Sequence, residues 1–456
     1  MFSPASRRKS SYMRETARVA LRRSKQAHSV SSSLRVLAFM RQTHALVRDS
    51  RQDGSQESDY TPNIHVLRRS FDCTSNTCVH TCEPSYREFW FFATQEDLAP
   101  LGRGPLAAPV TAEIHMRRIV HHELGEPARV LRVEDGPSTS LGPDQVRVRV
   151  SCAPIHPGDL HGIMGSPAFG TPPTIASDGR VPGFEGAGVV SEVGANVDPA
   201  PGLKQGLRVV FFPASGAWSD EAVVPASSVV PLPDSIPDEV AAQMMINTLT
   251  ALTVIRAAHD SLPPDARAGV VTLLTGAGSA VGRLIGKVLT ERGVKVIRLV
   301  RTEASAAKLT GILPGAPVFA TEVAGWKGRV RAAADDAKIH VAIDSVGGRL
   351  LGDVADLLAE GTGTVINFGS LGGETSDIRL FPPRSLTLKG VVLDGWMQQP
   401  PKQRRADIAL ARRLAQEGGT LFEVAERYPP SRIADAVTHV SQAGRTGVVF
   451  IDFSND

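Results

Sequence analysis

Cysteine is nearly absent from the 456-residue chain: there are four, and Cys73, Cys78 and Cys82 crowd into the first quarter. Only Cys152 remains in the rest, which excludes a disulfide framework and fits a reducing compartment. No uninterrupted apolar run reaches about 18 residues, so no membrane span is expected. Aromatic residues are 5% of the chain and do not interleave with basic ones, so no nucleic-acid groove is expected. No internal repeat is visible, which excludes a solenoid. What is present, 42% hydrophobic and 21% charged residues, is the composition of an ordinary globular protein with room for two to four domains.

Acidic residues are scarce at one end. Residues 1–115 carry 16 Lys and Arg against 11 Asp and Glu, and residues 116–456 carry 34 against 36, so the net +3 belongs wholly to the first quarter. The first 50 residues are Arg- and Ser-rich, with only Glu15 and Asp49 as acids. That composition is expected of a disordered extension ahead of a start at Met116, or of a transit peptide, which gives a cytoplasmic or a mitochondrial location. Cys73, Cys78, His80 and Cys82 have a C-x4-C-x-H-x-C spacing without the distant second pair of a zinc finger, so no metal site is expected there.

From Met116 the patterning changes. Residues 116–240 hold short runs of β-formers (QVRVRVSC, GAGVVSEV, GLRVVFF, EAVVPASSVVPL) separated by Gly and Pro, which predicts a compact β unit of the barrel type. Residues 241–390 begin with a helical stretch, AAQMMINTLTALTVIRAA, and then alternate strands (VVTLLT, VKVIRLV, HVAIDSVGG, TVINFG) with helices, which predicts a parallel sheet covered on both faces. Residues 391–456 contain a charged helix, RRADIALARRLAQEG, and a last strand, GVVFIDF.

The strongest chemical signal is VVTLLTGAGSAVGRLIGKVL. A strand runs into Gly276, Ala277, Gly278, Ser279, Ala280, Val281 and Gly282, and a helix leaves. Small residues there let the backbone turn tightly and approach a pyrophosphate, while the helix N-terminus offers N–H donors and positive potential. The G-x-G-x-x-x-G spacing is one residue longer than the usual dinucleotide fingerprint; its strand–turn–helix setting carries the reading. The second strand ends Val300-Arg301-Thr302. An NAD site usually has a carboxylate here for the ribose 2′-hydroxyl, whereas an arginine suits a 2′-phosphate, so NADPH is the expected cofactor. Arg298, two residues earlier on the strand, is expected either as a second contact or facing solvent.

These segments resemble the medium-chain dehydrogenase/reductase superfamily over almost all of residues 116–456. The resemblance is nearest to its zinc-free branch of quinone oxidoreductases and mitochondrial-type enoyl thioester reductases. It is carried by IHPGDLHGIMG (155–165), VPGFEGAGVVSEVG (181–194), AAQMMINTLTALTVI (241–255), GAGSAVGR (276–283), DSVGG (344–348), INFGSLGGE and LTLKGVVLDGW. It implies an α/β architecture: a GroES-like β-barrel domain (116–240), a Rossmann domain with a doubly wound parallel sheet (241–390), and a return to the barrel (391–456), behind the extension of residues 1–115. Where zinc alcohol dehydrogenases have ligands, this chain has His156 and Phe184, and phenylalanine cannot bind a metal, so no zinc is expected.

The resemblance further implies that Asn247, the turn from Gly276 to Gly282, Arg301, Thr302, Phe368, Gly369 and Leu393 contact the cofactor. The family lysine near the C-terminus is not evident; Arg445 stands in that loop. Phe169, Phe184 and Trp396 are candidates for a substrate pocket. The tyrosine that enoyl thioester reductases carry after the first motif aligns with Pro167. The proton donor is therefore unidentified, with Asp159 and His161 as candidates. The expected activity is a zinc-independent, NADPH-dependent reduction of an activated C=C bond, foremost an enoyl thioester. A quinone or enone oxidoreductase and a non-catalytic NADPH-binding protein are the alternatives. A homodimer is implied by the family.

Overall fold

The computed structural model describes residues 115–166, 172–198, 202–264, 269–335, 337–373 and 375–454. The basic extension with its cysteine cluster, and also Pro167 and Phe169, lie outside the described residues.

The main elements follow in chain order. An antiparallel pair, β1 (His115–Val120) and β2 (Arg132–Pro137), opens the described chain. Then come β3 (Gln145–Pro154), α1 (Pro157–Met164), β4 (Gly186–Val193), β5 (Arg208–Phe211), β6 (Glu221–Pro225) and β7 (Val229–Pro231). Helix α2 (Met244–Asp260) leads into β8 (Val271–Leu274), α3 (Ala280–Glu291), β9 (Lys295–Val300), α4 (Glu303–Ile312) and β10 (Val318–Ala320). After these come β11 (Val341–Asp344), α5 (Gly348–Leu357), β12 (Thr364–Asn367) and β13 (Thr387–Gly390). The last stretch holds α6 (Pro401–Glu417), β14 (Val424–Tyr428), α7 (Ile433–Val440) and β15 (Val448–Asp452).

Seven strands form the GroES-like sheet, in the order β14-β15-β3-β4-β5-β7 with β6 paired to β3. Along β3, Val146, Val148 and Val150 are buried while Arg149 points outward, the period-2 alternation of a half-buried strand. The C-terminal segment returns to this sheet: β15 is buried at all five positions and pairs antiparallel with β3 and parallel with β14.

The second sheet has six parallel strands in the order β10-β9-β8-β11-β12-β13. This is the doubly wound Rossmann order, whose direction reverses between β8 and β11, where ligands bind beyond the strand C-termini. β8 and β11 are wholly buried and wholly apolar apart from Thr272 and the terminal Asp344, as central parallel strands must be when helices cover both faces. One apolar cluster joins α2, α3 and the C-terminal segment on one face of this sheet, and another, containing Trp326 and Leu351, fills the opposite face.

Candidate cofactor and active site

The chain leaves β8 through Thr275 and turns into α3 over the glycine-rich segment. Gly276 has φ +55, and a Cβ there would lie 2.4 Å from Ser345 Oγ. At Gly282 a Cβ would lie 2.3 Å from the Gly276 carbonyl oxygen, so the turn can close only on glycine. Ser279 caps α3, its Oγ accepting the Gly282 N–H at 3.0 Å. Gly278 differs: it is exposed, and its Cβ would meet only Val300 Cγ1 at 3.7 Å. Packing within the protein therefore does not require glycine there, whereas close approach of a ligand would. Ala280 and Val281 are half-buried at the helix start, packed on the apolar cluster.

A buried carboxylate organises this end of the sheet. Asp344, fully buried at the tip of β11, accepts Thr275 Oγ1–H at 2.5 Å and the Val346 N–H at 3.2 Å on Oδ1. On Oδ2 it accepts the Gly347 N–H and Asn367 Nδ2–H, each at 2.9 Å. The ends of β8, β11 and β12 are thereby tied together. The strands that carry Thr275, Asp344 and Asn367 are legible in the sequence, but the roles of these three residues are not. The available signal was a polar residue closing an otherwise apolar buried strand, as in VAID and TVIN. Phe368 and Gly369 follow directly and are half-buried, and a Cβ on Gly369 would lie 2.8 Å from the Ser345 carbonyl oxygen.

At the tip of β9, Arg301 is exposed and its Nε lies 3.5 Å from Glu322 Oε1. Thr302 caps α4, its Oγ1 accepting the Ser305 N–H at 3.2 Å with the Ser305 hydroxyl 3.0 Å away. Arg298 corrects the expectation. It neither faces solvent nor reaches this tip, because it is 2% exposed and donates from Nη2 to the Ala316 carbonyl at 2.5 Å. Its side chain lies on the α3 side of the sheet, near Gly286, and burial pulls its pKa down.

Helix α2, packed beside α3, carries Asn247, which is 4% exposed and whose Nδ2 has no partner among the described residues. A buried amide left unpaired costs about 1–3 kcal/mol, which a ligand acceptor would recover. Ser345 Oγ, beside the Gly276 turn, is likewise buried without a partner. Together with the glycine cradle, these groups fit a dinucleotide. Leu393 is half-buried and packs on the same apolar cluster.

The remaining candidates separate. Asp159 is 2% exposed and accepts the His156 backbone N–H at 2.8 Å; burial pushes its pKa up to about 6. It stands in the first turn of α1 and presents no open face to a substrate. His161, on the same helix, is half-buried. His156 Nε2 lies 2.7 Å from Glu185 Oε1. Burial favours the neutral form of His156, but the hydrogen bond and charge of Glu185 outweigh it and raise its pKa. Burial also raises that of Glu185. Phe184 is half-buried. Trp396 corrects the pocket expectation: it is 4% exposed, donates Nε1–H to Asp407 Oδ2 at 2.9 Å and packs on Phe212, so it serves as core behind the site. Arg445 turns back onto its own loop, donating to the Val440 and Gly447 carbonyls. Tyr428 on β14 bonds His439 at 3.1 Å. Among the described residues no group of three or more His, Cys, Asp or Glu is arranged to hold a metal ion, and no helix is long and apolar enough to cross a membrane.

Comparison with known proteins agrees with this geometry. Residues 142–234 match the alcohol dehydrogenase GroES-like domain family. The mitochondrial enoyl-[acyl-carrier-protein] reductase of Rattus norvegicus is 28% identical over 288 residues, covering 62% of this chain and 74% of the rat protein. A Bacillus thuringiensis protein described as an NADPH:quinone reductase superposes with a TM-score of 0.64 at 29% identity, covering 74% of this chain and 99% of that one. The Escherichia coli quinone oxidoreductase, solved with NADPH, shares the fold with a TM-score of 0.63 at 23% identity, covering 74% of this chain and 99% of its own. The chain is an oxidoreductase similar in sequence and fold to the zinc-free medium-chain dehydrogenase/reductases, among them mitochondrial enoyl reductases and quinone oxidoreductases.

Proposed function

We propose that the protein is a zinc-independent reductase that uses NADPH to reduce the C=C bond of an enoyl thioester. The observation that carries the cofactor assignment is Arg301, an exposed cation at the tip of β9 where an NAD site would have a carboxylate. The turn from Gly276 to Gly282 would hold the pyrophosphate against the start of α3. Arg301 with Thr302 would meet the 2′-phosphate, and Asn247, Phe368, Gly369 and Leu393 would surround the nicotinamide end. A nicotinamide cofactor held there would supply the hydride needed to reduce the C=C bond, and the second hydrogen would be added as a proton.

The chain's own part is to bind and orient the cofactor and substrate and to exclude water from the hydride path. Tyr428 is bonded to His439 and Asp159 is 2% exposed, which leaves solvent or the half-buried His161 as the proton source. Zinc independence is supported by Phe184, which has no ligating atom, and by the engagement of His156 with Glu185. The thioester is favoured by the enoyl reductase relative; the quinone reading rests on the solved neighbours. NADPH oxidation measured separately with crotonyl-CoA and with a soluble quinone tests the choice. Turnover of crotonyl-CoA is expected. Turnover of quinone alone would overturn the thioester assignment, and preference for NADH would overturn the cofactor assignment.

The edge strand β13 is exposed at all four positions, and Leu388 on it and Val392 just beyond its end stand exposed, which supports edge-to-edge pairing of two copies. Light scattering is expected to give a dimer. The Arg- and Ser-rich composition of residues 1–50, together with mitochondrial relatives, supports a mitochondrial address. A fluorescent protein carrying residues 1–115 tests it.

A further inference from the structure

Helix α2 starts without a local cap. Gln243, the residue before it, has φ −109 and ψ 1, and its side chain gives no cap; its Nε2 donates instead to the Glu239 and Phe422 carbonyls. The first N–H groups of a helix lack intrahelical acceptors and must find others. Here one acceptor comes from 61 residues away: Glu185 Oε2 receives the Ile246 backbone N–H at 2.9 Å. Ile246 directly precedes Asn247, the buried amide whose Nδ2 has no partner among the described residues.

Glu185 is itself fully buried, and its other oxygen receives His156 Nε2 at 2.7 Å. The backbone N–H of His156 is in turn held by Asp159 at 2.8 Å. A continuous series of hydrogen bonds thus runs from the first turn of α1, the helix that follows β3, to the first turn of α2. We propose that His156 and Glu185 are positioning residues that set the orientation of Asn247, and through it the affinity for the nicotinamide cofactor. This inference rests on the cofactor reading given above. Neither side chain needs to touch the cofactor. A buried carboxylate holds its orientation only while its acceptor sites are filled. Removing the imidazole would leave Oε1 unpaired and allow Glu185 to turn or take up a proton, releasing the Ile246 N–H and the turn that carries Asn247.

The test uses the full chain. NADPH binding is followed by fluorescence titration, KM for NADPH and kcat by NADPH oxidation with the better of crotonyl-CoA and a soluble quinone, and folding by thermal unfolding. His156→Leu is expected to raise both Kd and KM for NADPH about tenfold or more while kcat at saturating NADPH changes less than about threefold, the signature of lost binding without lost chemistry. His156→Gln, which keeps an N–H donor on a side chain of similar reach, is expected to recover most of the loss. If His156→Leu binds NADPH as tightly as the wild type, or if it loses kcat and stability with KM for NADPH unmoved, the proposal is overturned. Where His156→Leu does not fold, the isosteric Glu185→Gln carries the test, with the same expected direction and the same overturning result. A wild-type chain that binds no NADPH would overturn the cofactor reading instead, which separates the two failures.

Discussion

The hydroxyl of Thr275 and the carboxylate of Asp344 meet at 2.5 Å where β8 and β11 lie side by side, the point at which the Rossmann sheet changes direction. The other oxygen of Asp344 holds Asn367 and the Gly347 N–H. Four donors therefore converge on one buried anion. Asp344→Ala would leave them unpaired in a dry site, at a cost of about 1–3 kcal/mol for the first and less for those that find new partners. A fall of about 5 °C or more in unfolding temperature is expected. NADPH affinity should fall with it, because the turns at 275–279 and 345–348 lose their common anchor. Asp344→Asn retains one acceptor and should fall between. An Ala variant that unfolds with the wild type would disprove the anchoring role.

The glycines of the turn should respond differently. A Cβ at Gly282 meets a backbone carbonyl at 2.3 Å and cannot be accommodated without opening the turn, whereas one at Gly278 meets nothing closer than 3.7 Å. Gly282→Ala should lower both thermal stability and NADPH affinity. Gly278→Ala should leave stability within about 0.5 kcal/mol and weaken only the cofactor, since the added methyl would stand where a pyrophosphate approaches. Paired unfolding and titration curves check this. Equal NADPH affinity for Gly278→Ala and the wild type would remove the pyrophosphate from that position.

Much of this site could be read in the chain because its cause is local. A run of β-formers, a glycine turn and a helix opening on Ser279 are neighbours in sequence, and the Arg301 position follows from strand length alone. Arg298 was misjudged for a physical reason. A long side chain on an alternating strand looks solvent-facing until the covering helix is known, and here α3 buries it, with Gly286 close to its stem. Trp396 could be assigned neither to pocket nor to core from sequence, because Asp407, the acceptor of its indole N–H, lies on a different helix. The link from Glu185 to Ile246 was out of reach for a similar reason. It joins residues 61 positions apart, and nothing in GFEGAG indicates which N–H its carboxylate will meet.

Arg301 should discriminate between cofactors. With the guanidinium exposed, its attraction for a 2′-phosphate is screened, so the effect belongs in a kinetic ratio and depends on salt. Arg301→Ala should raise KM for NADPH about tenfold or more and leave KM for NADH nearly unchanged, with the difference shrinking at high ionic strength. Glu322 competes for the same cation at 3.5 Å, so Glu322→Gln should lower KM for NADPH by about two- to threefold. If both cofactors respond equally to Arg301→Ala, the arginine does not read the phosphate.

The buried trio of Asp159, Glu185 and His156 sets the sign of a pH effect. Burial lifts Asp159 to about 6, so between the ordinary aspartate range near 4 and about pH 6 the folded protein holds a proton that the unfolded chain has released. Its contribution to stability is therefore fully present below that window and is lost as pH rises through it. Glu185, also raised, acts in the same direction. For His156 the stabilisation is complete below the unfolded value of about 6.5 and disappears as pH climbs through its higher folded value. Asp159→Asn keeps an oxygen that can accept the His156 N–H but cannot ionise. Its unfolding temperature relative to wild type should therefore rise from pH 4 to 6.5, by an amount on the order of 1 kcal/mol in stability. Carboxylates held low by their partners, such as Asp452 by the hydrogen bonds of Ser454 and by Arg427, lose stability toward acid in both proteins, and this cancels in the difference. A difference curve that is flat from pH 4 to 6.5 would mean that Asp159 titrates as an ordinary aspartate, and that the first turn of α1 is open to water.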